Sequence, residues 1–142
     1  MEDILSACVL MIEDDQEMVF LGKLILEKEG YDFISATEGG AGLKILADQG
    51  DSIDLVLLDI MLPNMYGWDI LERIKKNEQT KHIPVIMLTA RHQMEDESET
   101  SHYADLYSAY IVKPFVVRQF LDSIAKVIDQ SKNADTLGST EV

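Results

Sequence analysis

Five short apolar runs alternate along the chain with five longer amphipathic or polar stretches, and little lies between them. The runs are "CVLMI" (8–12), "YDFISA" (31–36), "DLVLL" (54–58), "PVIMLTA" (84–90) and "AYIV" (109–112). "DLVLL" is aliphatic throughout, as a strand covered on both faces must be, whereas "YDFISA" alternates like a strand near a sheet edge. The stretches between them predict helices over 16–29, 38–49, 68–76 and 93–107, and from Pro114 to about 130. In the first helix Met18, Leu21, Leu24, Ile25 and the stem of Lys28 form the expected apolar face, and Gly30 is its expected stop. Thr37 is the expected N-cap of the second. Trp68, Leu71 and either Ile74 or Ile70 point the third inward, and Phe120, Leu121, Ile124, Val127 and Ile128 the last. Strict β–α alternation of this kind is built by one architecture, the doubly wound α/β fold: a five-stranded parallel sheet flanked by five helices, flavodoxin-like in topology.

The 142 residues suit one domain, expected over 1–130, followed by a disordered tail over 131–142, "SKNADTLGSTEV", which has no periodicity. A net charge of −14 argues against direct nucleic-acid binding, which needs a basic surface, and against adhesion to an anionic membrane. The start, "MEDILSA", is acidic and "ACVLMI" is too short to span a bilayer, so a cytoplasmic location is expected. The single cysteine, Cys8, lies in an apolar run and reads as core filler.

In an open parallel sheet, ligands bind outside the carboxyl ends of the strands. The first strand delivers Asp14 and Asp15 there, the third Asp59, the fourth Thr89 and the fifth Lys113. Three carboxylates against one ammonium leave an excess of negative charge, which a divalent cation would balance. Hard oxygen ligands suit magnesium. A carboxylate beside a magnesium ion, a lysine and a hydroxyl can act as a nucleophile toward a phosphoryl group, since phosphoryl transfer is mostly positioning and electrostatics. The product would be an acyl phosphate on Asp59, held by Thr89 and Lys113.

Asp14-Asp15, "LLDIMLPNMYGWDIL", "MLTAR" and "YIVKPF" together resemble the motifs of response-regulator receiver domains of the chemotaxis-receiver type, over residues 7 to 130. The resemblance implies a single-domain response regulator of two-component signalling. Asp59 would accept a phosphoryl group from a histidine kinase or histidine phosphotransfer protein, and the output would be binding to a downstream protein. It further implies that Asp15, Asp59 and the backbone carbonyl of Met61 ligate Mg2+, with Asp14 acting through water. Thr89 and Lys113 match the phosphoryl-binding pair, Tyr110 the switch aromatic, and Met61 and Arg91 the positions that tune phosphoryl lifetime. Such a domain is no enzyme beyond its own phosphorylation and slow autodephosphorylation. Where family members carry Gly-Ala-Asp before the last strand, this chain has "LYSA" (106–109), and "MEDESET" (94–100) reads as an acidic solvated face.

Other chemistries fit less well. Phosphohydrolases of the haloacid-dehalogenase type carry a second acid two residues after the nucleophile; here Met61 stands there and cannot donate a proton. A constitutive binding module would lack an acid, the threonine or the lysine, and all are present. His82, His92 and His102 have no metal-ligand spacing, Gly39, Gly40 and Gly42 form no GxGxxG or P-loop for a nucleotide, and no Thr/Ser/Gly-rich phosphate loop for a flavin follows the first strand.

Overall fold

The structure, a computed structural model, describes residues 6–90 and 101–140, with residues 134–140 described by their backbone alone. The strands are β1 (Cys8–Ile12), β2 (Asp32–Ala36), β3 (Leu55–Asp59), β4 (Val85–Ala90) and β5 (Ala109–Lys113). All pair in parallel, in the order β2-β1-β3-β4-β5. The helices are α1 (Gln16–Lys28), α2 (Gly39–Gln49), α3 (Gly67–Lys76) and a C-terminal helix (Val117–Thr140). The helix expected over 93–107 falls partly outside the described residues; within them, 101–103 are helical.

Side chains alternate across β1 and so divide the core in two. Leu10 and Ile12 join α2 and α3 through Leu46, Trp68, Leu71 and Ile74. Val9 and Met11 face the other way, toward Leu26 of α1 and Phe120, Ile124 and Val127 of the C-terminal helix. Helices therefore cover both faces, which is why β1 and β3 are apolar and buried at every position up to Asp59.

Three expectations need correction. α1 does not bury Leu21 and Leu24, which are 40% and 57% exposed; it turns Gly22 and Leu26 inward. The reason is a close approach: a Cβ on Gly22 would lie 2.7 Å from Met11 Cε, so the helix seats on the one position with no side chain. Thr37 does not cap α2. The first helical bond runs from Gly42 N–H to the carbonyl of Glu38, one residue later, and Glu38 takes the N-cap position without a side-chain bond. The C-terminal helix begins at Val117 rather than Pro114, and its backbone is helical as far as Thr140. Packing of Phe120, Ile124, Val127 and Ile128 supplies the nucleus, and extending an existing helix is far easier than starting one.

Candidate functional site

The order β2-β1-β3 places the topological switch point between β1 and β3, where the chain leaves the sheet on opposite sides. Asp59 is the last residue of β3, 4% exposed, and stands at this crevice. Its Oδ1 accepts the N–H of Met61 at 3.2 Å, and its Oδ2 lies 3.4 Å from Lys113 Nζ. Lys113 ends β5 and makes a shorter bond, 2.9 Å, to Oε1 of Glu13.

Glu13 is the residue that sequence reading passed over. It is fully buried, its N–H donates to Ala36 O at 3.0 Å, and its Oε2 accepts the N–H of Asp15 at 3.1 Å. Single carboxylate oxygens of Glu13, Asp14 and Asp59 all lie within 4.8 Å of one another. Asp15 is engaged elsewhere. It is the N-cap of α1, with Oδ1 accepting the N–H of Glu17 at 3.0 Å and of Met18 at 3.4 Å. The acidic trio brought together is thus Glu13-Asp14-Asp59, one step earlier in the chain than the pair read from the sequence. A sequence signal existed. Glu13 directly follows the last residue of a buried strand, and Asp15 immediately precedes a helix, the place where aspartate most often caps.

Burial pushes the Glu13 carboxyl up from its ordinary 4.5 to about 7, against the hydrogen bond from Lys113 that favours its charged form; the charge of Asp59 adds to the rise. Burial alone would lower Lys113. The hydrogen bond to Glu13 and the charges of Asp59 and Glu13 outweigh it, so the ammonium is held above its usual range. The centre therefore holds three acids and one firmly protonated lysine. Such a set of oxygen donors fits a divalent hard cation.

The remaining expected residues surround this centre. Thr89 is fully buried near the end of β4, with its hydroxyl donating to Ala90 O at 2.7 Å. Ala90 pairs with Lys113 in the sheet, so the threonine and the lysine sit on adjacent strands. Met61 lies at the mouth, 56% exposed. Tyr110 faces outward, 50% exposed, along a groove of about 290 Å³ between β5 and the C-terminal helix. Arg91 lies outside the described residues.

A family model described as "Response regulator receiver domain" matches residues 9–125. The transcriptional regulatory protein CpxR of Escherichia coli K12 is 38% identical over 126 residues, covering 87% of this chain and 50% of CpxR. The DNA-binding dual master transcriptional regulator RpaA of Synechocystis is 35% identical over 120 residues, covering 84% of this chain and 48% of RpaA. The chain thus spans about half the length of these curated relatives. Among solved structures, a CheY-like response regulator receiver domain protein from Methanospirillum hungatei JF-1 superposes with a TM-score of 0.81 at 29% identity, covering 92% of this chain and 99% of that one. The N-terminal domain of a response regulator receiver protein from Methanoculleus marisnigri JR1 gives 0.69 at 38% identity, covering 84% and 94%. Among the described residues no helix is long and apolar enough to cross a membrane.

Proposed function

The chain belongs to the response-regulator receiver domain family, and on that premise we propose that it is a phosphorylation-controlled switch with Asp59 as its phosphoacceptor. The observation that carries this reading is the pairing of Asp59, a buried carboxylate at a strand end, with Lys113 inside a cluster of two further acids. An Asp59 oxygen attacks the phosphorus of a phosphohistidine on a histidine kinase or histidine phosphotransfer protein. The O–P bond forms as the N–P bond breaks, and the imidazole leaves with the electron pair. Lys113 stabilises charge on the phosphoryl oxygens, and Thr89 turns its hydroxyl from Ala90 O toward them.

Glu13, Asp14 and Asp59, with the Met61 carbonyl, are the oxygen donors that would hold Mg2+. When bound, the ion supplies charge neutralisation for these acids and for the phosphoryl group. Asp15 serves the site through the helix it caps. Met61 at the mouth, and Arg91 by its place in the sequence, govern how readily water reaches the acyl phosphate. The outcome is one phosphoryl group per chain, lost again by slow autodephosphorylation, in the cytoplasm where such donors act. Tyr110 moves inward from its exposed position as Thr89 and Lys113 close, and the altered β5 face binds a downstream protein.

Intact-protein mass after incubation with acetyl phosphate tests this. One added phosphoryl group should appear in wild type with magnesium, and none in Asp59→Asn or in chelator. Asp59→Asn should also unfold at the same or a slightly higher temperature, because it removes one of several crowded like charges. Equal labelling of Asp59→Asn would sink the assignment.

A further inference from the structure

α1 buries Gly22 and Leu26 against the sheet. Phe20 and Leu24 each stand two residues from Gly22, roughly 200° round a helix of about 3.6 residues per turn, so they face directly away from the core. They are 66% and 57% exposed, and Leu21 between them is exposed as well. Single apolar side chains in water are ordinary on a protein surface. Three within five residues on one outward helix face make a continuous apolar strip, and a strip rimmed by polar groups marks a place where another surface docks.

The strip ends in opposite charges. Glu17 stands one turn before Phe20 and Leu21, Lys28 one turn after Leu24, and both are exposed. Among the described residues neither is in an ion pair, whereas Lys23 and Glu27, on the other flank of α1, hold each other at 2.9 Å. Residues 17, 20, 21, 24 and 28 thus run acid, apolar, apolar, apolar, base along one stripe of three- and four-residue steps. Turned end for end about a point midway between Gly22 and Lys23, the stripe maps onto itself with its charges exchanged. Glu17 takes the place of Lys28, and Leu21 that of Leu24. Such a surface is complementary to a second copy of itself, which is the condition for a two-fold, isologous contact.

We propose that α1 is a self-association surface. Two copies of this chain pack their α1 helices antiparallel, Phe20, Leu21 and Leu24 of one against the same residues of the other, with Glu17 of each copy beside Lys28 of its partner. The proposal is independent of Asp59 being the phosphoacceptor. One pair of helices is a small interface, so the two copies exchange between monomer and dimer instead of pairing permanently. Chains of net charge −14 also repel one another at long range. Salt at about 0.15 M confines that repulsion to about 8 Å and leaves the contact itself to decide.

Sedimentation velocity at that salt, over micromolar to millimolar concentrations, tests this, with thermal unfolding as the check on each variant's fold. Wild type should pass from one chain to two as concentration rises. Leu24→Glu, at an exposed helical position, should keep its unfolding temperature and remain a monomer. Glu17→Lys and Lys28→Glu should each weaken association roughly tenfold, because both attractive end pairs become like-charge pairs. An equimolar mixture of these two variants should associate again, since in the mixed pair every lysine faces a glutamate. A partner other than a second copy cannot produce that restoration. Wild type monomeric at every concentration leaves the strip to a different protein and overturns the proposal. Leu24→Glu or the two charge variants associating as tightly as wild type, or a mixture no stronger than its components, overturns it equally.

Discussion

Lys113 Nζ lies closer to Glu13 Oε1, at 2.9 Å, than to Asp59 Oδ2, at 3.4 Å. In the resting chain the lysine is thus first a counterion to Glu13, and Asp59 keeps an oxygen only loosely held. That division leaves Asp59, the proposed phosphoacceptor, available while the buried glutamate is compensated.

Double-mutant cycles should reproduce this inequality. In urea unfolding without divalent cations, Lys113→Met should couple with Glu13→Gln by about 1–2 kcal/mol, and less strongly with Asp59→Asn. Equal couplings would mean that the lysine is shared evenly.

Glu13 should give the apo protein a characteristic pH dependence. Its carboxyl is raised from 4.5 to about 7, so between those values the folded chain holds a proton that the unfolded chain has released. The stability this group contributes is fully present below its unfolded value and is lost as pH rises through about 7. With divalent cations chelated, the unfolding free energy of wild type minus that of Glu13→Gln should fall across this window. A flat difference would show that Glu13 ionises as freely folded as unfolded.

Asp15 and Asp14 should separate by function. Asp15→Ala removes the acceptor for the N–H groups of Glu17 and Met18 and should cost about 1 kcal/mol of stability, with magnesium affinity nearly unchanged. Asp14→Ala should do the reverse, because Asp14 is exposed, and its oxygen points into the cluster with Glu13 and Asp59. Magnesium titrations of the two variants, beside their thermal unfolding, decide the matter.

Gly67→Ala should be among the more damaging small substitutions. The added carbon would fall 2.4 Å from the Asp59 carbonyl oxygen and 2.5 Å from Ile60 Cα, and both are backbone atoms with little freedom to yield. The expected loss is about 2 kcal/mol or more, seen as a lowered urea midpoint. Wild-type stability in this variant would mean that α3 can slide off the strand end without penalty.

The order of elements and the strand positions were legible because a buried parallel strand must be apolar on both faces. "CVLMI" and "DLVLL" state that condition in their own residues. Asp59, Thr89 and Lys113 were legible for a related reason: each is the polar group met where an apolar run ends, and the sheet collects such ends at one edge. Other features depended on how the pieces pack. Apolar spacing along α1 admits a face through Leu21 and Leu24, but only contact with Met11 reveals that the helix seats on Gly22. The choice between Glu13 and Asp15 likewise turned on direction. Three acids follow one another along the chain, and a residue's number does not say whether its oxygens face a neighbouring strand's lysine or the open N–H groups of the next helix. Local sequence determined which segments became strands and helices, because burial and periodicity act over a few residues. Only the tertiary structure decided which acids meet, because that depends on strands brought together from about a hundred residues apart, as Glu13 and Lys113 are.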